Sequence, residues 1–481
     1  MKDSNALQND NETRARVIGR VELQPAATGR KHTPSPSNGQ DFMQSLATSP
    51  WMSKQAEREY QRVLSEIKEL QHEKRWEDIN ALFYPVEEKL ADLCMAGMDA
   101  GIRQEVAFSL GRAGRHQDAI KCVKPVLKND PDNVMAHYSL AYTALDLLYT
   151  ARVKRQLLTP QRRREMIDLA HRHFTKAQEL RPDSVTFFYR EGILYKEIED
   201  KPRKAVPLFQ KAVANWDRLS DEEKKERHQQ RPKFIRALYH LASSLLKLGM
   251  PARSLEVLER VMDEDRDQDH VSAVFKHFAM GKVLHTLGRP EEALDHLDTA
   301  AYRAPKGEGI EYVYELSARC CLAAGNSDRA LTYIEKIARN RRRPYVQWTH
   351  ADSLVAAGRM DEALKLLEGC AERDRRTRHV ALIRIARIHY AAGRMEHALN
   401  AASEAASFCE HTFGNASNEA LFWQAAALHG LGRNVKALEV LEDLTTRRFQ
   451  YPGLGRLLSV VRQVVRQEQH GANRPAICLV T

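Results

Sequence analysis

The hydrophobic pattern of this chain repeats as a pair of amphipathic helices joined by a tight turn. The pattern is clearest between Ala273 and Pro305, where small or apolar residues recur at spacings of three and four and so mark one face of each helix. Gly288 suits the left-handed conformation that often ends a helix, and Pro290 suits the first turn of the next helix. A single hairpin cannot bury its apolar face alone, so the pattern predicts copies of it on either side.

Copies of this hairpin occur along most of the chain, with Ala293 as the reference position in the second helix. The equivalent residues, called anchors below, are Ile79, Ala119, Ala170, Ala205, Ser254, Ala330, Ala363, Ala398 and Ala437. Glycines that can form the turn lie five residues before seven of the ten anchors, at Gly114, Gly249, Gly288, Gly325, Gly358, Gly393 and Gly432. Seven glycines in phase are too many for chance, and the shortest steps between anchors lie near ~34 residues.

These anchors, turn glycines and spacings strongly resemble the tetratricopeptide repeat (TPR) family, from about residue 53 to residue 446. The resemblance implies an all-α fold, a right-handed α-solenoid of about ten TPR-like helical hairpins. It also implies a concave groove lined by the first helix of each hairpin.

The sequence predicts four segments. Residues 1–50 are polar and rich in turn-forming residues near their end, so we expect a disordered N-terminal tail. The repeat array should occupy residues 51–450. Residues 451–469 should form a C-terminal helix that caps the open end of the last repeat, and residues 470–481 should be a frayed tail.

Two insertions interrupt the predicted array. The first, near residues 149–161, is rich in Arg and Lys, and either lengthens both helices of its hairpin or projects as a basic loop. The second, near residues 217–232, contains Ser220 and Glu223 at the spacing of a capping box, so it should include a short, charged, solvated helix.

The charge of the chain is unevenly distributed. The formal net charge is +10, and residues 339–481 carry 21 basic and 14 acidic side chains, which gives this segment a net charge of +7. A basic surface favours anionic partners such as nucleic acid, acidic protein or lipid headgroups. The competing interpretation is a basic surface with no specific partner.

No motif for catalysis, a metal or a cofactor emerges from the sequence, so we expect a non-enzymatic protein without a cofactor. The chain has no Gly-rich phosphate loop, no zinc-binding HExxH motif and no GxSxG nucleophile motif. Its seven cysteines form no CxxC pair and read as small core residues in a reducing compartment. No apolar run is long enough for a membrane span, and no apolar signal core begins the chain, so the expected location is cytoplasmic.

Two surfaces could bind partners. The first is the groove, where the repeat register places mostly aromatic residues with cations beside them: Tyr138, Tyr189, Tyr239, Phe278, Lys282, Arg319, Trp348, Arg387 and Phe422. Such a lane suits a peptide with apolar anchors and some acidic residues. The alternative is that aromatic residues at these positions serve packing.

The second surface is a basic rim formed by loops that follow second helices. Its predicted members are Arg341, Arg342, Arg343, Arg375, Arg376 and Arg378. Arginine suits bidentate contacts with carboxylates or phosphates, whereas cations near helix C-termini can also serve only to complement the helix dipole.

The function that these patterns favour is a scaffold or adaptor that binds protein or peptide partners through its groove. One alternative is a nucleic-acid-associated or anionic-surface-binding factor that uses the basic rim and the first insertion. Another is a regulatory subunit of an enzyme complex.

Overall fold

The computed structural model describes the backbone of residues 50–472 and the side chains of residues 54–469. Within that part of the chain every regular element is a helix and no strand occurs. None of the helices described there is long and apolar enough to cross a membrane. The predicted tails at residues 1–50 and 470–481 lie outside the described residues, except for the ends of the outermost helices.

The chain divides into two units, residues 1–283 and 284–481. In the first unit, helices follow one another as first and second members of successive pairs: α1 (Pro50–His72) and α2 (Trp76–Phe83), α5 (Ala100–Arg112) and α6 (His116–Asn129), α7 (Val134–Val153) and α8 (Pro160–Leu180), α9 (Val185–Ile193) and α10 (Pro202–Asp217), and α12 (Arg231–Lys247) and α13 (Pro251–Glu264). Three short helices lie between pairs: α3 (Val86–Lys89), α4 (Ala91–Met95) and α11 (Asp221–Glu226). Helix α14 (Ala273–Thr286) contains the boundary between the units.

The second unit continues the same order. Its helices are α15 (Pro290–Arg303), α16 (Glu311–Ala323) and α17 (Ser327–Glu335), α18 (Pro344–Ala356) and α19 (Met360–Arg373), α20 (Arg378–Ala391) and α21 (Met395–Phe413), α22 (Asn418–Gly430) and α23 (Asn434–Thr446), and finally α24 (Leu454–Ala472). Within each unit, the two helices of a pair pack on each other. The all-α solenoid of helical hairpins that the sequence predicted is therefore confirmed.

The anchor residues explain why the helices of a pair can approach closely. All ten anchors are at most 1% exposed, and eight of them are alanine. A methyl group at this position fills the contact without forcing the helix axes apart. The one polar anchor, Ser254, satisfies its hydroxyl by donating to the carbonyl oxygen of Ala242 at 2.8 Å, so its burial leaves no unpaired donor.

The turn within each pair requires a left-handed residue. Gly114 has φ of 80°, and the backbone N–H of Arg115 donates to the carbonyl of Leu110, which closes the end of α5. The first pair makes the same turn without glycine: Lys74 has φ of 60°, and the next backbone N–H bonds to the carbonyl of Leu70. A residue with a Cβ is strained in this region.

The first insertion lengthens both helices of the third pair, which resolves the alternative that the sequence left open. Helix α7 has 20 residues and α8 has 21, and only residues 154–159 connect them. The extra turns reach the π-helix Leu194–Ile198, which continues α9. There the guanidinium groups of Arg152 and Arg163 donate to the carbonyl oxygens of Glu197 and Ile198, which the helix end leaves open.

The second insertion contains the short helix that its capping box predicted. Ser220 accepts a hydrogen bond from the backbone N–H of Glu223 at 3.2 Å, and Glu223 accepts one from the backbone N–H of Ser220 at 2.8 Å. No residue of the resulting helix α11 is buried. Beyond it, Arg227 pairs with Asp183 at 2.9 Å.

The turn strain gives a matched pair of predictions. Lys74→Gly should raise the free energy of unfolding by about 0.5 kcal/mol, because relief of the left-handed strain exceeds the entropy that glycine loses. The reciprocal change, Gly114→Lys, should lower it by about 1 kcal/mol. Urea denaturation of the two variants beside the wild type measures both effects, and equal shifts in the same direction would contradict this account of the turn.

Candidate functional site

A small pocket opens between the first helices α5 and α7. It is lined by Ala107, Phe108, Gly111 and Arg112 from α5 and by Tyr142, Thr143 and Asp146 from α7. Gly111 faces the open space of this pocket, because no heavy atom lies within 4 Å of the place that a Cβ on this residue would take. The rings of Phe108 and Tyr142 are half-buried, so each offers part of its surface to solvent.

Aromatic rings and guanidinium groups flank this pocket. On one side the rings of Trp76 and Phe108 meet edge to face with centroids 5.8 Å apart, and the guanidinium of Arg112 lies 5.7 Å from the centroid of Trp76. On the other side the guanidinium of Arg190 lies 5.0 Å from the centroid of Tyr142. These are cation–π distances, which fix the rings as well as the cations. We call these five residues the aromatic patch.

A histidine contacts the carboxylate that lines the pocket. Asp146 Oδ2 lies 3.1 Å from Nε2 of His116, and Nδ1 of His116 lies 3.1 Å from the carbonyl oxygen of Gly114. Both side chains are largely buried, at 13% and 8% exposure. The pocket thus presents an anchored carboxylate and the guanidinium of Arg112 beside exposed aromatic surface.

The predicted groove residues of the first unit differ in how far they are exposed. Tyr138 is half-buried and stacks on Tyr142 and on Phe187, with centroids 6.0 Å and 5.0 Å away. Tyr239 and Phe278 are also half-buried. Lys282 is exposed. These residues keep accessible surface on first helices, and their role in binding remains a prediction.

The prediction that Tyr189 lines the groove is wrong. Its side chain is 1% exposed and lies among the core residues of the fourth pair. Its ring centroid lies 6.4 Å from that of Phe209 in the second helix and 5.5 Å from the guanidinium of Arg190. Tyr189 therefore serves packing.

In the second unit, the prediction for Phe422 is also wrong. Phe422 is 6% exposed, because the segment that leads into α24 places Tyr451 against it at a centroid distance of 4.5 Å. Trp348 is half-buried, and the guanidinium of Arg384 lies 5.2 Å from its centroid. Arg319 and Arg387 are exposed, as the groove prediction requires, and their role in binding stays a prediction.

The predicted basic rim separates into paired and unpaired arginines. Arg341 pairs with Glu311 at 3.1 Å, and Arg378 pairs with Glu404 at 2.5 Å. Arg342 is half-buried and its Nε donates to the carbonyl oxygen of Ile337 at 2.9 Å. The remaining rim members, Arg343, Arg375 and Arg376, are exposed.

A histidine of the third pair bridges two carboxylates of the fourth pair. His171 Nδ1 lies 2.8 Å from Glu191 Oε1, and its Nε2 lies 2.7 Å from Glu199 Oε1. Burial opposes the charged imidazole, but hydrogen bonds and charge from the two carboxylates outweigh it, so the pKa of His171 is raised above its usual 6.5. Lys201 also pairs with Glu199. Burial raises the pKa of Glu199, but its bonds to Lys201 and His171 prevail and lower it overall.

The described residues contain no group of three or more His, Cys, Asp or Glu side chains that could hold a metal ion. The cysteines in this part of the chain are free thiols, and all except Cys94 are buried. Burial raises the pKa of the Cys122 thiol to about 12. A thiol held protonated in this way is a poor nucleophile.

Sequence reasoning did not select Trp76, Gly111, Arg112, Asp146 or Arg190 as site residues. One signal was present: Gly111 lies inside a predicted helix, three residues before the turn glycine, where most residues would be more stable than glycine. The other four residues gave no signal, because their importance comes from contacts between neighbouring helices.

Comparison with known protein families identifies the class. Models described as tetratricopeptide repeat match residues 185–305, 108–147 and 418–443. The chain therefore contains tetratricopeptide repeats, which form a repeat scaffold of the kind that mediates protein interactions. A search of curated proteins found no match.

Three solved structures are similar to this chain. PilW, a type IV pilus biogenesis factor, is 17% identical, with a TM-score of 0.39, over 52% of this chain and 96% of PilW. PilF of Pseudomonas aeruginosa is 16% identical, with a TM-score of 0.40, over 53% of this chain and 98% of PilF. The human IFIT1 dimer with m7Gppp-AAAA is 14% identical, with a TM-score of 0.40, over 94% of this chain and 96% of IFIT1. Such scores support no argument about function.

The bridge at His171 predicts a pH dependence. A raised pKa in the folded state stabilises the fold fully below the unfolded value, about pH 6.5, and this stabilisation is lost as pH rises through the folded value. Replacement by Gln keeps a polar side chain but removes the charge. The difference in free energy of unfolding between wild type and His171→Gln should therefore be largest in mild acid and should shrink towards alkaline pH. Urea denaturation over a pH series measures it, and a constant difference would contradict the prediction.

Proposed function

We propose that this protein is a non-enzymatic scaffold or adaptor that binds a protein partner through the groove formed by first helices of its first unit. The observation that carries the proposal is the pocket between α5 and α7 with the aromatic patch around it. Open apolar pockets flanked by aromatic and arginine side chains are where binding energy concentrates in protein interfaces.

The chemistry of the pocket defines the partner segment that suits it. Phe108 and Tyr142 offer ring surface for an apolar or aromatic side chain that enters beside Gly111. Arg112 can donate hydrogen bonds to a carboxylate next to that anchor, and Asp146 can accept a hydrogen bond from an N–H or pair with a cation on the other side. The proposed ligand is therefore an extended or helical peptide in which an apolar side chain, lying against these rings, is flanked by polar residues.

The half-exposed residues beyond the pocket would extend this contact along the first unit. Tyr138 adjoins the pocket through its stacking on Tyr142. Tyr239 and Phe278 lie on later first helices, where Lys282 adds a cation. Aromatic residues at such positions would anchor further apolar side chains of the same peptide, and the lysine would attract acidic ones.

Filling the pocket tests this proposal without removing any native contact. Gly111→Leu places a side chain in open space on a helix, so the variant should be about 0.5–1 kcal/mol more stable than the wild type. It should also lose the groove ligand. Tagged wild-type protein and variant, each purified from native lysate with and without nuclease, are compared by quantitative mass spectrometry.

The matched control is Gly455→Leu. Gly455 is another helical glycine with no heavy atom within 4 Å of the place that a Cβ would take, and it lies far along the chain in α24. We expect nuclease-resistant partners that the control retains and Gly111→Leu loses. If both variants retain every partner while thermal melting shows them folded, the pocket does not bind the partner.

A further inference from the structure

Arginines lie along two edges of the second unit, and the two edges differ in how their arginines are paired. At four of the five turns within helix pairs, an arginine follows the turn glycine and is paired with a carboxylate: Arg289 with Glu292, Arg359 with Glu362, Arg394 with Asp361, and Arg433 with Glu396. These arginines tie the start of a second helix to its own first turn or to the preceding pair. These arginines therefore already have carboxylate partners within the fold.

Several arginines of the opposite edge make no such ion pair with a described residue. It is formed by the loops that join α17 to α18 and α19 to α20. Because α19 packs on both α18 and α20, these two loops lie at the same edge. Arg339, Arg343, Arg375 and Arg376 are exposed there, and none of them has a carboxylate within ion-pair distance among the described residues. We call these four residues the open arginines.

Hydrogen bonds order the backbone of the two loops that carry the open arginines. Residues 339–341 form a turn of 3-10 helix, in which the backbone N–H of Arg341 donates to the carbonyl of Ala338 at 2.8 Å. In the next loop, the carboxylate of Asp374 accepts from the backbone N–H of Arg376 at 3.0 Å and from the hydroxyl of Thr377 at 2.5 Å. A rigid loop loses little entropy when its side chains bind.

The cations of this edge also crowd one another. Burial lowers the pKa of Arg342, and the nearby positive charge of Arg339 lowers it further, against an opposing contribution from the carboxylate of Glu335. An anion at this edge would relieve that repulsion. The neighbouring pairs Arg341–Glu311 and Arg378–Glu404 show that guanidinium groups of these loops accept carboxylates.

We propose that the open arginines bind an acidic segment of a partner protein, with Glu or Asp side chains opposite the two loops. Guanidinium groups match carboxylates in a bidentate geometry, and four cations on two ordered loops can bind several acidic residues of one segment. Single-stranded nucleic acid fits less well, because the loop residues 336–343 and 374–377 contain no aromatic side chain on which a base could stack. Both loops belong to the second unit, so their binding does not depend on the groove proposed above.

Fluorescence anisotropy of a labelled peptide of alternating Glu and Gly, added to the full chain, tests the proposal. The same peptide with Gln in place of Glu and a uridine oligonucleotide of equal charge are measured beside it. We expect the Glu peptide to bind at low ionic strength and to weaken as salt rises. Arg375→Glu/Arg376→Glu and Arg339→Glu/Arg343→Glu should each weaken binding by about tenfold.

The charge-matched control is Lys365→Glu/Lys436→Glu, because both lysines are exposed on second helices of the same unit and make no ion pair with any described residue. It should bind the Glu peptide within about twofold of wild type at the same salt. The proposal is overturned if wild type fails to bind the Glu peptide, or if the control loses as much affinity as the loop variants. Tighter binding of the oligonucleotide, lost in the loop variants, would instead assign this edge to nucleic acid.

Discussion

The close contact between the two helices of each pair is the constraint on which this structure depends. It requires a buried side chain in the second helix, and this side chain is small in every pair except the first, where it is Ile79; all ten anchors have exposures of at most 1%. It also requires a chain reversal in very few residues, which sets the left-handed turn. With those positions fixed, one hairpin still leaves apolar surface open, and only a neighbouring hairpin can cover it. The stability of each repeat therefore depends on the next one.

The same constraint leaves part of the surface of several first helices accessible to solvent. Its residues need not serve the contact between hairpins, so they can carry aromatic rings beside cations at little cost to the fold. In the first unit that freedom produces the aromatic patch around Gly111, where adjacent first helices supply the two walls of a pocket. In the second unit the accessible side chains are those of the loops. There Arg375 and Arg376 are exposed, and the carboxylate of Asp374 accepts a hydrogen bond from the backbone N–H of Arg376. Rigid support and free side chains are the combination that a binding surface needs.

Most of the fold could be predicted from the sequence, because periodic burial and turn glycines are local signals that recur in phase. The site was less predictable, because a repeat register gives the average direction of a side chain and cannot describe local neighbours. Tyr189 and Phe422 have the register of groove residues, yet the core of the fourth pair encloses the first and Tyr451 covers the second. The arginine-rich loops show the same limit: composition reveals the charges, but only the structure shows that Arg341 is paired and Arg343 is not.

The π-helix has a consequence for how this gene can tolerate change in length. From the small residue Gly281 to the turn residue Gly288 is 7 positions, whereas from Gly192 to the equivalent turn residue Asp200 is 8. The fourth repeat thus contains one additional codon within its first helix. An α-helix would turn every later side chain by about 100° after such an insertion, but the wider turn absorbs the residue before Asp200. The additional residue is therefore confined to one turn of one helix.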